Sequence, residues 1–311
     1  MAVQGQGPQG GAPVGVTSDP GLEVHNIPWR HEFLDCTLNR VPSLSIVAYA
    51  QGSQLTETVR VPGSQPIAYA VRALPPVLVI LRHMYHSIWV MHRSGVCLWG
   101  QFGPANLLVY QTLAVRMTGP LHLSYYTRNG GDLDYAQLAA SVEAMFTARE
   151  SVPMDIQGWL GLIREGVRGY EYLIRYDVAL MEPVQAFSWL MAARALLERL
   201  SVMNHTAFNM IVYDLHANLM DWNVDSYCLN TLLQATREHI NPHTGLEVEF
   251  ERNVRGLLTL FRNCSQHSAR FMEAYMMLIV EEDFPGFVRR FQASLFRAGV
   301  IGHHHLEASM G

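Results

Sequence analysis

The chain has 311 residues, 49% of them hydrophobic and only 16% charged, with a net charge of −5 and no lysine among its 22 basic residues. That length suffices for one large domain or two lobes with buried cores, and the net negative charge excludes a global polycation for nucleic acid to find. Soluble chains average about 25% charged residues, so this surface is either mostly internal or turned toward other subunits, whose interface cores are poor in charge.

Residues 1–22 open with MAVQGQGPQGGAPVGV, rich in Gly, Gln, Pro and Val and almost free of charge. The composition predicts a flexible arm rather than a packed element. It has neither the basic region nor the apolar run of a signal peptide, so secretion is not expected.

Residues 43–72 read as β-rich. SLSIVAYA and ETVRV are separated by QGSQ, and PGSQP precedes IAYAVRA, which predicts one or two hairpins. From Pro75 the pattern changes. PPVLVILRHMYHSIWVMHRSG puts proline at a first-turn position and Gly95 at the stop, predicting a buried helix; its β-branched content is also compatible with a strand pair. Arg82, His83, His86 and Ser87 interrupt the apolar run, so it reads as a core element, not a membrane span. Residues 105–128 are ambiguous, and GPLHLSYYTRNGG ends in a turn signal.

From Asp132 onward the expectation is helical. DLDYAQLAASVEAMFTARE pairs an Asp cap with apolar residues at helical spacing. PMDIQGWLGLIREGVRG follows, and EPVQAFSWLMAARALLERLSVMN is the strongest helical pattern, with Pro183 near its start. TAFNMIVYDLHANLMDW, VDSYCLNTLLQATREHI, GLEVEFERNVRGLLTLFRNC, SARFMEAYMMLIVEE and FPGFVRRFQASLFRAG complete the series. Short connections between them suit a compact helical lobe. The fold class is therefore mainly α, a helical C-terminal lobe with a small β-containing N-terminal region, with α+β as the alternative. The expected divisions are an arm at 1–22, a mixed α/β region at 23–131, the helical lobe at 132–301 and a flexible tail at 302–311.

Candidate chemistry is sparse. Cys36, Cys97, Cys228 and Cys264 are far apart and form no CxxC, which argues against a disulfide framework or a zinc site. His83, His86 and His92 lie close in sequence, yet no HExxH pattern or further ligand set accompanies them. The run His303, His304, His305 beside LEASMG is a loose chelator or a cloning remnant. Asp214, His216, His205 and Asp221 suggest acid–base chemistry, but no GxSxG, phosphate loop or dinucleotide fingerprint is present. No metal, no cofactor and no enzymatic activity are expected. The patch FMEAYMMLIVEEDF reads as core packing.

The arginines carry the best functional signal. Arg252, Arg255 and Arg262 fall at i, i+3 and i+10, on one stripe if residues 246–263 are helical, with Val254, Leu257, Leu258 and Phe261 opposite. Arg289, Arg290 and Arg297 add a second cationic edge. Such a groove would grip a phosphate backbone with paired hydrogen bonds. The competing reading is a solvated helix face paired with the acids at 281–283.

Three causes of the absent lysine compete: nucleotide bias, escape from lysine modification, and bidentate pairing by guanidinium. Together with the charge-poor surface and the lack of catalytic motifs, they lead to the expectation of a self-assembling structural protein, specifically a viral capsid or nucleocapsid subunit that contacts RNA through the arginine stripe. Its partners would be itself, other structural proteins and RNA, with no membrane, in the host-cell cytoplasm and the virion. The alternatives are a non-assembling viral interaction protein and a lysine-free effector enzyme.

Overall fold

A computed structural model describes residues 15–36, 42–147, 150–165, 169–216, 219, 222, 230–240, 245, 249–267 and 273–302. Residues 1–14, Asp221, Cys228 and the HHH run lie outside the described residues. Within them the chain is mainly α, with twelve α-helices and eight short strands.

The first strand, β1 (Val16–Ser18), runs parallel to Leu121–Leu123. It lies in the stretch read as an arm, so residues 15–22 correct that expectation. A three-residue strand leaves no alternation to detect, and its partner is about a hundred positions away in the chain. Helix α1 (Arg30–Phe33), strand β2 (Ser43–Ser45) and helix α2 (Ile46–Gly52) follow. SLSIVAYA was expected to be wholly extended. It turns helical at Ile46 because the Ser45 hydroxyl accepts the Ala48 N–H at 3.2 Å, a local cap that overrides β propensity. The expected hairpin region does form a two-stranded sheet, β3 (Thr56–Arg60) with β4 (Tyr69–Ala73).

Helix α3 (Pro75–Arg93) resolves the helix-or-strand ambiguity. Proline starts it, Gly95 at φ 80° stops it, and Val77, Ile80, Leu81, Met84, Ile88 and Met91 form its buried face. Strands β5 (Val96–Cys97), β6 (Leu107–Tyr110), β7 (Val115–Met117) and β8 (Leu121–Tyr125) then complete two three-stranded sheets, ordered β1-β8-β5 and β2-β6-β7.

Helix α4 (Arg128–Thr147) starts at Arg128, so the RNGG turn signal is its first turn. Its glycines serve close packing rather than turning: a Cβ on Gly130 would lie 2.6 Å from the Cys97 sulfur, and one on Gly131 2.7 Å from the Tyr126 ring. Helices α5 (Met154–Glu165) and α6 (Glu171–Arg175) follow. Then come α7 (Pro183–Met203), α8 (His205–His216), α9 (Thr231–Arg237), α10 (Val254–His267), α11 (Glu273–Asp283) and α12 (Phe287–Arg297).

Packing groups the described residues into two units, those within 1–56 and 73–175, and those within 57–72 and 176–311. Residues 132–175, read from the sequence as the start of the helical lobe, group with the N-terminal elements because α4 packs on α3 and α5 on α4. In the first unit the buried Asp134 carboxylate accepts the N–H groups of Leu98 and Gly100 at 2.9 and 2.6 Å, and pairs with His92 at 2.9 Å. It fixes the turn that leaves β5.

In the second unit α8, α10 and α11 pack on α7. Phe261 meets Phe284 and Phe287, and Phe287 stacks on Phe291, with ring centroids 5.5–6.0 Å apart. Met276, Met277, Leu278, Ile279 and Val280 are buried, so the Met-rich patch packs in the core. No helix among the described residues is long and apolar enough to cross a membrane.

Candidate nucleic-acid interface

The arginine stripe was expected on a helix spanning 246–263. The helix instead begins at Val254, and the described residues 249–253 are not helical. Asn253 sets the start: its side-chain oxygen accepts the N–H groups of Arg255 and Gly256 at 2.9 and 3.1 Å. The backbone then turns back so tightly that a Cβ on Gly256 would fall 1.9 Å from the Glu251 carbonyl oxygen. Arg252 is exposed but lies before the helix, so the three arginines do not form one helical stripe.

What the fold does assemble is a cationic cluster across α7 and α10. Arg255 donates from Nε to both carboxylate oxygens of Glu198 at 3.0 and 2.9 Å, and from Nη1 to Glu251 at 3.1 Å. The Glu198 hydrogen bond raises the Arg255 pKa. Arg194, one turn before Glu198 on α7, reaches Thr259 at 3.4 Å and approaches Glu198 at 3.7 Å. Burial pushes the Arg194 pKa down; Glu198 opposes this, and Arg262 and Arg255 add to it by repulsion. Its Nε is buried with no hydrogen-bond partner among the described residues. Arg262 is exposed and donates to Asn263 at 3.2 Å. Arg194, Glu198 and Thr259 were missed in the sequence. The i,i+4 pair Arg194–Glu198 in ARALLERL was the available signal.

The second expected edge disperses. Arg289 is bound to the buried Asp177 carboxylate at 3.2 and 3.1 Å, and Arg297 pairs with Asp214. Arg290 is exposed on α12. Asp214 also accepts the Ser294 hydroxyl at 2.6 Å. Burial pushes its pKa up, but the bonds from Ser294 and Arg297 outweigh that and leave it lowered. The carboxylate is thus engaged by neighbours and forms no acid–base set with His205 or His216 among the described residues.

The three clustered histidines diverge. His86 pairs with Glu32 at 3.0 Å and His92 with Asp134 at 2.9 Å, while burial lowers the pKa of His83. Among the described residues no group of His, Cys, Asp and Glu could hold a metal ion.

No known family matches the chain, and no curated protein shows significant similarity to it.

The other surface feature is apolar. Val202 and Met203 at the end of α7 are largely exposed, and on α8 Met210 and Tyr213 sit one turn apart on the face opposite Ala207, Ile211 and Leu215. Met203 and Tyr213 are each 83% exposed.

Proposed function

We propose that the chain is a self-associating structural protein that contacts RNA through Arg194, Arg255 and Arg262, together with the exposed Arg252 just before α10 in the chain. The observation that carries this reading is the cluster in which Arg255 and Arg194 share the Glu198 carboxylate, Arg255 also pairs with Glu251, and Arg262 lies close enough to repel Arg194. Like charges held this close favour an added anion, and guanidinium suits phosphate oxygens. Self-association is supported by the exposed apolar side chains of α7 and α8 in a chain with only 16% charged residues. In its specific form, a viral capsid or nucleocapsid subunit, the proposal rests on composition and the absent lysine.

The experiment is sedimentation of purified protein with its co-purifying nucleic acid measured. The proposal expects species well above the 35.0 kDa chain, carrying RNA. A monomer free of nucleic acid across a wide concentration range would overturn it. Electron micrographs of the same sample separate closed particles from smaller oligomers.

A further inference from the structure

We infer that Glu198 is an internal stand-in for a phosphate group, seated on the cationic cluster and displaced when an RNA phosphate binds. The inference rests on the proposed RNA contact and assigns that site its regulation.

The geometry of the carboxylate is the argument. Both of its oxygens receive the Arg255 Nε–H, at 3.0 and 2.9 Å, and one lies 3.7 Å from Arg194 Nη2. It therefore lies where an anion shared by two guanidinium groups belongs. A carboxylate fills that seat incompletely. It has two oxygens, and its approach to Arg194 is longer than a hydrogen bond. The Arg194 Nε remains buried and without a partner among the described residues. An orphaned buried donor is costly enough that native structures rarely keep one without a reason.

A backbone phosphate offers more acceptor oxygens around a tetrahedral centre, and its charge would offset the mutual repulsion of Arg194, Arg255 and Arg262. Glu198 is only half-buried, as is Arg255, so the carboxylate can swing to water when the phosphate arrives. The cluster would then be held closed in free protein by one carboxylate from α7.

The test is binding of a short unstructured single-stranded RNA to the full chain and to Glu198→Gln, titrated from about 50 to about 200 mM salt. Glu165→Gln, on α5 in the other unit, makes the same change of charge as a control. The inference expects Glu198→Gln to bind several-fold tighter than both, with a log–log salt slope steeper by about 0.7, one further phosphate neutralised on a single strand. Glu198→Ala is the second variant should the Gln chain fail to fold, and it is expected to tighten binding likewise. If the unaltered chain binds RNA and Glu198→Gln binds equally or more weakly, the stand-in role is overturned and the RNA reading stands. If neither chain binds RNA even at low salt, the RNA reading fails and takes the inference with it.

Discussion

Arg289 grips the buried carboxylate of Asp177, its Nε donating to both oxygens at 3.2 and 3.1 Å. Asp177 is fully buried and also accepts the Ala179 N–H at 2.8 Å. Beside it the buried Gln292 amide accepts the Val178 N–H and donates to the Tyr176 carbonyl. This network fastens α12 to the turn at 176–180. Removing one partner of a buried ion pair typically costs about 3–5 kcal/mol because the other charge is stranded. Arg289→Gln is therefore expected to lower unfolding free energy by about that amount in urea titration. A loss below about 1 kcal/mol, the range of exposed pairs, would mean that the pair is not structural.

Asp134 is the corresponding anchor in the first unit. Asp134→Ala strands the N–H groups of Leu98 and Gly100, each orphaned donor costing about 1–3 kcal/mol. Hydrogen exchange at those two amides is expected to accelerate sharply, with a loss of at least about 2 kcal/mol overall. Unchanged protection would show that the turn does not depend on this carboxylate.

Two helical glycines are expected to respond in opposite ways to alanine. Within a helix, alanine is favoured over glycine by about 1 kcal/mol. Gly161 on α5 has open space around a new Cβ, so Gly161→Ala should raise the melting temperature. Gly256 on α10 would drive its Cβ into the Glu251 carbonyl, so Gly256→Ala should destabilise by about 1–3 kcal/mol, as overpacking does. Equal melting temperatures for the two variants would contradict the tight turn before α10.

Asp283 gives the second unit a pH dependence. Burial, with Glu282 adding repulsion and the Asn230 backbone opposing, pushes its carboxyl up to about 6. Its Oδ2 is buried without a partner among the described residues. A carboxyl raised in the folded state stabilises fully below its unfolded pKa of 3.8, and that contribution is lost as pH rises through about 6. Asp283→Asn removes the penalty of the charged form while keeping an acceptor for Asn230. It is expected to be more stable than the unaltered chain at pH 8, by on the order of 1 kcal/mol after allowance for partial exposure. The advantage should vanish near pH 4. A constant difference between pH 4 and pH 8 would exclude Asp283 as its source.

The helical half of the fold was legible because its signals are local. Pro183 at the first turn of α7 and the apolar spacing of Met276–Val280 need no distant partner to be read. What escaped was non-local or competitive. β1 exists only through its pairing with β8, and the helical turn at Ile46 depends on one hydroxyl cap against a β-forming composition. Arg252, Arg255 and Arg262 matched a helical stripe by spacing, but the cap at Asn253 removed Arg252 from the helix. Arg289 and Arg297 looked like free charge because Asp177 and Asp214 are far from them in sequence. The cluster that did form draws Arg194 from α7, a residue that only tertiary packing brings beside Arg262.

The most direct measurement is the salt dependence of single-stranded RNA binding by the chain and by the double variant Arg252→Gln, Arg262→Gln, both sites being exposed and outside the core. Each phosphate left without its arginine flattens the log–log slope for a single strand by about 0.7. The account predicts weaker binding, with a slope reduced by about 1.4 for two phosphates, and an unchanged melting temperature. The same affinity and the same slope in a folded double variant would contradict it.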